Sequence, residues 1–207
     1  MLAEGRTGPV VTQDGGVNPL RIDKTGALVV TGGHPQYGEA VLRGGVMVVS
    51  TAVAGVAPGT AFSTTPPMSI WNPPSSGKNL IILKTTLAYV SGTLGAGFLA
   101  YGQIDSQVTV PTGGTELVPN NCLLGSPRGV GRAFQGSTWV AAPTILKAPY
   151  SMGPALATTA VFPFLVADLL DGELVVSPGT GFAMQMTGGA GTSPLLVFSV
   201  VWEEVSA

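Results

Sequence analysis

The side chains able to do chemistry are few and lie far apart. His34 is the only histidine and Cys122 the only cysteine. A nucleophilic triad would have to use His34, which sits in a Gly-Gly-His-Pro turn, and no G-x-S-x-G elbow supplies a serine. Asp168, Asp171 and Glu173 form an acidic cluster, but a calcium loop needs more oxygen ligands than three carboxylates offer. It reads as a turn with solvated acids. Ser76-Gly77-Lys78-Asn79 lacks the first glycine and the Ser/Thr of a phosphate loop, and Gly92-Thr93-Leu94-Gly95-Ala96-Gly97 lacks the G-x-G-x-x-G order. We therefore expect no enzyme, no catalytic or metal-ligating residues and no cofactor. Cys122 reads as a small buried hydrophobe.

The scarcity extends to all charge. Asp, Glu, Lys and Arg make up 10% of the 207 residues, where about 25% is usual. No charged side chain occurs between Arg43 and Lys78, or between Glu173 and Glu203. The net charge of -2 gives no basic footprint for nucleic acid. The aromatics do not alternate with basic residues, as a stacking platform for single strands would require. Residues 148–167 are uncharged, but Pro149, Gly153, Pro154 and Pro163 rule out a membrane-spanning helix there. No secretory h-region opens the chain. A surface this poor in charge points to extensive contact with other protein.

The elements that must carry such a surface are strands. The chain has 30 Gly and 17 Pro, yet 45% of its residues are hydrophobic, too many for disorder. No apolar 3.6-residue period is sustained. Strands are predicted over 46–53, 68–71 and 79–90. A further one over 94–101 would pair with 79–90 as a hairpin across Ser91-Gly92-Thr93. Residues 110–148 read as a long excursion with strands near 138–141 and 144–146. Four closing strands follow at 159–167, 172–176, 181–187 and 194–205. Val56-Ala-Pro-Gly-Thr-Ala-Phe62 and Val176-Ser-Pro-Gly-Thr-Gly-Phe182 repeat one pattern that suits a type II turn with glycine third.

Residues 1–43 differ from the rest. They hold Glu4, Arg6, Asp14, Arg21, Asp23, Lys24, Glu39 and Arg43, balanced in sign, around apolar inserts. We read them as an extended N-terminal arm preceding an all-β sandwich over 44–207. Leu28, Val29, Val30, Tyr37 and Arg43 are the candidate assembly residues. Strand addition by 27–31 is the expected mode of adhesion. With no net charge to drive it, attachment should depend weakly on salt.

Several stretches resemble virion proteins of tailed bacteriophages. They are residues 18–30, from Asn18-Pro19-Leu20-Arg21 to Leu28-Val29-Val30; Tyr37-Gly38-Glu39-Ala40-Val41 leading to Ser50-Thr51-Ala52-Val53; residues 71–83 with 89–97; and 174–179 with 197–204. The resemblance implies a jelly-roll-like sandwich, often trimeric. It implies a structural head decoration (cement) protein bound to the major capsid protein on the capsid surface. The alternative is a head or tail fibre appendage that binds host surface glycans.

Overall fold

The computed structural model describes residues 35–152, 165–188 and 191–207. The chain divides into two units, Met1–Glu39 and Ala40–Ala207. Among the described residues the only helix is α1 (Gly38–Leu42), one turn long, where the sequence predicts extended arm. Gly44, with φ +70°, ends it, and the Gly45 N–H donates to the Ala40 carbonyl. Glycine at that position carries the left-handed backbone without strain.

The described body is antiparallel β. Its strands are β1 (Val46–Ser50), β2 (Met68–Trp71), β3 (Lys78–Ser91), β4 (Gly97–Ile104), β5 (Thr115–Leu117), β6 (Asn120–Asn121), β7 (Arg132–Gln135), β8 (Thr144–Met152), β9 (Leu165–Val176), β10 (Gly181–Gly188) and β11 (Leu195–Ser206). They form two sheets, ordered β6-β1-β11-β3-β9 and β5-β7-β2-β10-β4-β8. Side-chain alternation explains how the sheets meet. In β11, Leu196, Phe198, Val200 and Trp202 are fully buried, while Val197, Ser199, Val201 and Glu203 between them are half-buried. The inward set joins Leu80, Ile82 and Leu87 of β3. Against it pack Met68 and Ile70 of β2, Leu99 and Tyr101 of β4, and Phe182 and Met184 of β10. One core drawn from both sheets makes the architecture a β-sandwich. Burying each large side chain in it is worth roughly 1.5–3 kcal/mol.

The six-stranded sheet is buried on its other face as well. Trp71, Ile104, Phe134, Ala183 and Trp139 form a second cluster there. Trp139 arrives from the 105–143 excursion. Its backbone N–H donates to Thr64 O at 2.8 Å, and its Nε1 donates to Ser69 Oγ at 3.1 Å. Buried Gln107 ties the cover down. Its N–H donates to Gly179 O, its carbonyl accepts from Trp71 Nε1 at 2.7 Å, and its Oε1 accepts from Val140 N.

Several expectations need correction. β3 and β4 are not a hairpin: β3 pairs with β11 and β9, and β4 with β10 and β8, in opposite sheets. Each carries an inward apolar row, and placing the two rows across the core buries both. The predicted closing strands at 159–167 and 172–176 share one strand, β9, which bulges where Asp171 (φ 47°) and Gly172 (φ 91°) interrupt the register. Residues 159–164 lie outside the described residues. No strand spans 138–141, where Thr138 makes a single bridge to Thr112. The excursion instead supplies β5, β6 and β7. The repeated Pro-Gly turns behave as read, with φ +81° at Gly59 and +80° at Gly179.

Gly181 marks where the cover presses hardest. A Cβ there would lie 2.3 Å from the Trp139 ring. Gly181→Ala is expected to cost roughly 1–3 kcal/mol, seen as a lowered urea midpoint. Trp139→Leu should reduce that penalty in a double-mutant cycle, and strict additivity would contradict the contact.

Candidate functional site

The acids of the sequence cluster work as staples. Lys147 of β8 donates from Nζ to Glu173 Oε2 of β9 at 2.6 Å, and Asp168 Oδ2 lies 3.7 Å away. Tyr150 of β8 donates to the Ala167 carbonyl of β9 at 3.0 Å. These contacts clasp the outermost strands of the two sheets across the side of the sandwich. Asp171, at the bulge, is exposed. Among the described residues no three His, Cys, Asp or Glu side chains are grouped to hold a metal ion.

Behind the clasp lies a buried polar pair. Tyr101 Oη and Thr85 Oγ1 are hydrogen-bonded within the core. Burial pushes the Tyr101 phenol well above its usual range. The hydrogen bond to Glu173 raises the Lys147 ammonium. Cys122, half-buried rather than fully buried, has its thiol pushed up by desolvation. A thiol so shifted holds little thiolate near neutral pH.

On the far side, the excursion extends both sheets. Glu204 of β11 holds its 130–131 stretch: the carboxylate accepts the N–H groups of Val130 and Gly131, each at 2.9 Å, and Trp202 Nε1 at 3.2 Å. Arg132 of β7 makes a two-pronged pair with Glu116 of β5, both bonds 2.7 Å, and lies over the Trp71 ring. That pair holds the Glu116 carboxyl below its usual range.

Two surfaces suit a partner. One is a trough of about 640 Å³, lined among others by Thr60, Phe62, Ser63, Thr115, Gln135 and Gln185, with no ionisable side chain. The other is the outward face of the five-stranded sheet. Pairing registers lay it out as three rows across β1, β11, β3 and β9: Ser50-Ser199-Thr86-Ala167, Val48-Val201-Lys84-Leu169 and Val46-Glu203-Ile81-Val175, of which Val46, at one corner, is buried and not open to a partner. Leu169 is 59% exposed and Val175 51%, although an outward sheet face normally turns polar side chains to water. Residue-type reasoning missed this face, because its apolar members read as ordinary strand residues.

The predicted assembly residues are only partly placed. Leu28, Val29, Val30 and the single histidine lie outside the described residues. Tyr37 is a half-buried turn residue before α1, and Arg43 is exposed after it. Trp71, Trp139 and Trp202 anchor the two cores.

The staples give a definite pH dependence. Tyr101 and Lys147 have raised folded-state values, so they keep their protons in the fold beyond the pH at which the unfolded chain loses them. Their contribution is full below about pH 10 and falls as the pH rises further. Glu116 is lowered, so its contribution is present above about pH 4.3 and is lost as acid protonates it. We expect urea midpoints to decline above about pH 10. Tyr101→Phe should flatten that decline while lowering stability at neutral pH by about 1 kcal/mol. An unchanged alkaline slope would remove Tyr101 from the account.

Compared with known proteins, the chain matches no family model, no curated protein and no solved structure.

Proposed function

We propose that this is a non-enzymatic structural protein of a bacteriophage virion, a decoration protein that binds and stabilises the capsid. The observation that carries the reading is the strand order. Leaving aside β5, β6 and β7 of the excursion, the sheets reduce to β1-β11-β3-β9 and β2-β10-β4-β8. Two interleaved Greek keys have this order, and the jelly roll they make is an architecture of viral capsid proteins. The step from architecture to phage head rests on the sequence resemblance. The staples add support, since the Lys147, Glu173, Glu116, Arg132 and Glu204 side chains are all engaged in holding the sandwich.

The partners in this reading are the major capsid protein and further copies of the chain. Attachment belongs to the N-terminal arm, whose charges cancel and whose apolar inserts suit backbone pairing. Several arms on one oligomer multiply a weak contact through effective concentration.

Jelly rolls also serve lectins. The hydroxyl and amide lining of the uncharged trough therefore favours a second reading, an appendage that binds host surface glycans.

Purified protein added to capsids that lack it should co-sediment to a saturating, stoichiometric level, with little change on raising the salt. Removal of residues 1–34, which spares α1 and its tie to Gly45, should leave the strand spectrum intact and abolish co-sedimentation. Wild-type occupancy by the truncated chain would refute the arm's role. Failure of the full chain to bind any capsid, together with a few copies per virion by densitometry, would favour the appendage.

A further inference from the structure

The outward face of the five-stranded sheet carries one cation and one anion at its centre. Lys84 stands on β3 in the middle row, and Glu203 on neighbouring β11 in the next row. They are diagonal neighbours, and neither has an ion pair or a side-chain hydrogen bond among the described residues. The opposite diagonal of the same four positions is Val201 and Ile81, both apolar and half-buried.

This square is self-complementary. A two-fold axis in the plane of the sheet, passing over Val201 and Ile81, carries Lys84 of one copy onto Glu203 of the other, and the reverse. Val201 and Ile81 then meet their own counterparts on the axis. Such mutual contact is the mark of an isologous interface. We infer that this face is a docking surface for a second copy of the chain, with Val201 and Ile81 at its centre and two Lys84–Glu203 pairs beside them.

The surroundings suit the contact. Val48 and Leu169 continue the middle row to either side. Ser50 and Ser199 in the adjoining row satisfy each other across 2.7 Å, so they enter an interface without losing partners. Four strands about 4.8 Å apart, over three rows about 6.8 Å apart, give roughly 400 Å² per copy. That is roughly 800 Å² in total, smaller than a standard specific interface, which suits a weak, reversible association in the micromolar range. The contact makes a dimer, a symmetry distinct from the trimer that the resemblance implies. It does not rest on the capsid reading, and its test uses no capsid.

The experiment is light scattering on the full-length chain, with single charge reversals. The wild type should approach twice the chain mass at tens of micromolar. Lys84→Glu and Glu203→Lys each place like charges opposite one another, so each should weaken self-association at least tenfold. Equimolar mixing of the two variants should restore the dimer. In the mixed pair each of the two contacts again joins a carboxylate to an ammonium. One contact is made by the two introduced side chains, and the other by the native Glu203 of one copy and the native Lys84 of the other. Restoration on mixing cannot arise from contacts within one chain. Val201→Lys, at the axis, should give monomer with an unchanged circular dichroism spectrum, and mixing should not rescue it. A wild type that stays monomeric at about 100 micromolar or forms only trimers, reversals without effect, or no recovery on mixing would each overturn the proposal. The last two are also the results expected if the arm or another protein occupies the face.

Discussion

The cover over the outer face of the six-stranded sheet constrains most of what the chain does elsewhere. That face presents Trp71, Phe134, Ile104 and Ala183, which gain only if something dry lies on them. Trp139 supplies the lid, and it reaches the sheet because Gly181 leaves room for its ring. The 105–143 excursion must then lie against the body. Its polar backbone, brought out of water, needs partners, and the buried Gln107 side chain provides two, donating to the Thr109 carbonyl and accepting from the Val140 N–H. Having been brought this close, the same excursion lends β6 to one sheet and β5 and β7 to the other. The cover therefore also finishes two sheet edges.

The two faces of the sandwich follow different rules as a result. The six-stranded sheet is buried on both sides, and on its outer side Ser69 and Gln185 are buried beside Trp71, Phe134 and Ala183. The five-stranded sheet has Val48, Val201, Ile81, Leu169 and Val175 outward, with cover only at the Val46 corner among the described residues. Charge is used sparingly and placed where geometry needs fixing, across the side of the sandwich at Lys147 and against the excursion at Glu204 and Arg132. Exposed pairs of this kind add little energy individually. Their value here is positional, since they tie β8 to β9 across the side of the sandwich, the excursion to β11, and β7 to β5.

Much of the strand content was legible from residue types. β2 coincides with the predicted 68–71, β10 runs one residue beyond 181–187, and β3 falls within a residue of 79–90 at each end. These segments are β-branched or aromatic and are bounded by Gly or Pro, so local chemistry decides them. Pairing was not legible. Ser91-Gly92-Thr93 looks like a hairpin turn, yet the chain crosses there between sheets, because burial of both apolar rows outweighs the local turn signal. β5, β6 and β7 are two to four residues long and exist only where the excursion is pressed against an edge. β9 read as two strands because its Asp171-Gly172 bulge is a turn signal within a single element. Trp139 was visible as an aromatic anchor, but its target, a glycine forty-two residues away, carries no signal of its own. The sheet face is the hardest case. An apolar outward row is indistinguishable in sequence from an inward one until the lid on the other sheet is known.

The edges show how the described body avoids indiscriminate strand pairing. An open strand edge is a template for indiscriminate pairing. The two long edge strands, β8 and β9, are both interrupted. β8 contains Pro149, which has no N–H to offer, and its pairing with β4 shifts register around that residue. β9 is bent by Asp171 and Gly172, both with positive φ. The edges at the other end are strands of only two and three residues. Backbone pairing onto the described body is thus discouraged at its edges, although residues 27–31 have the composition of a strand that adds to another sheet. The self-contact proposed above uses a face, where side chains rather than backbone amides would decide the partner. A face bearing a single Lys and Glu on one diagonal can select its own kind, whereas an unguarded edge would accept any strand.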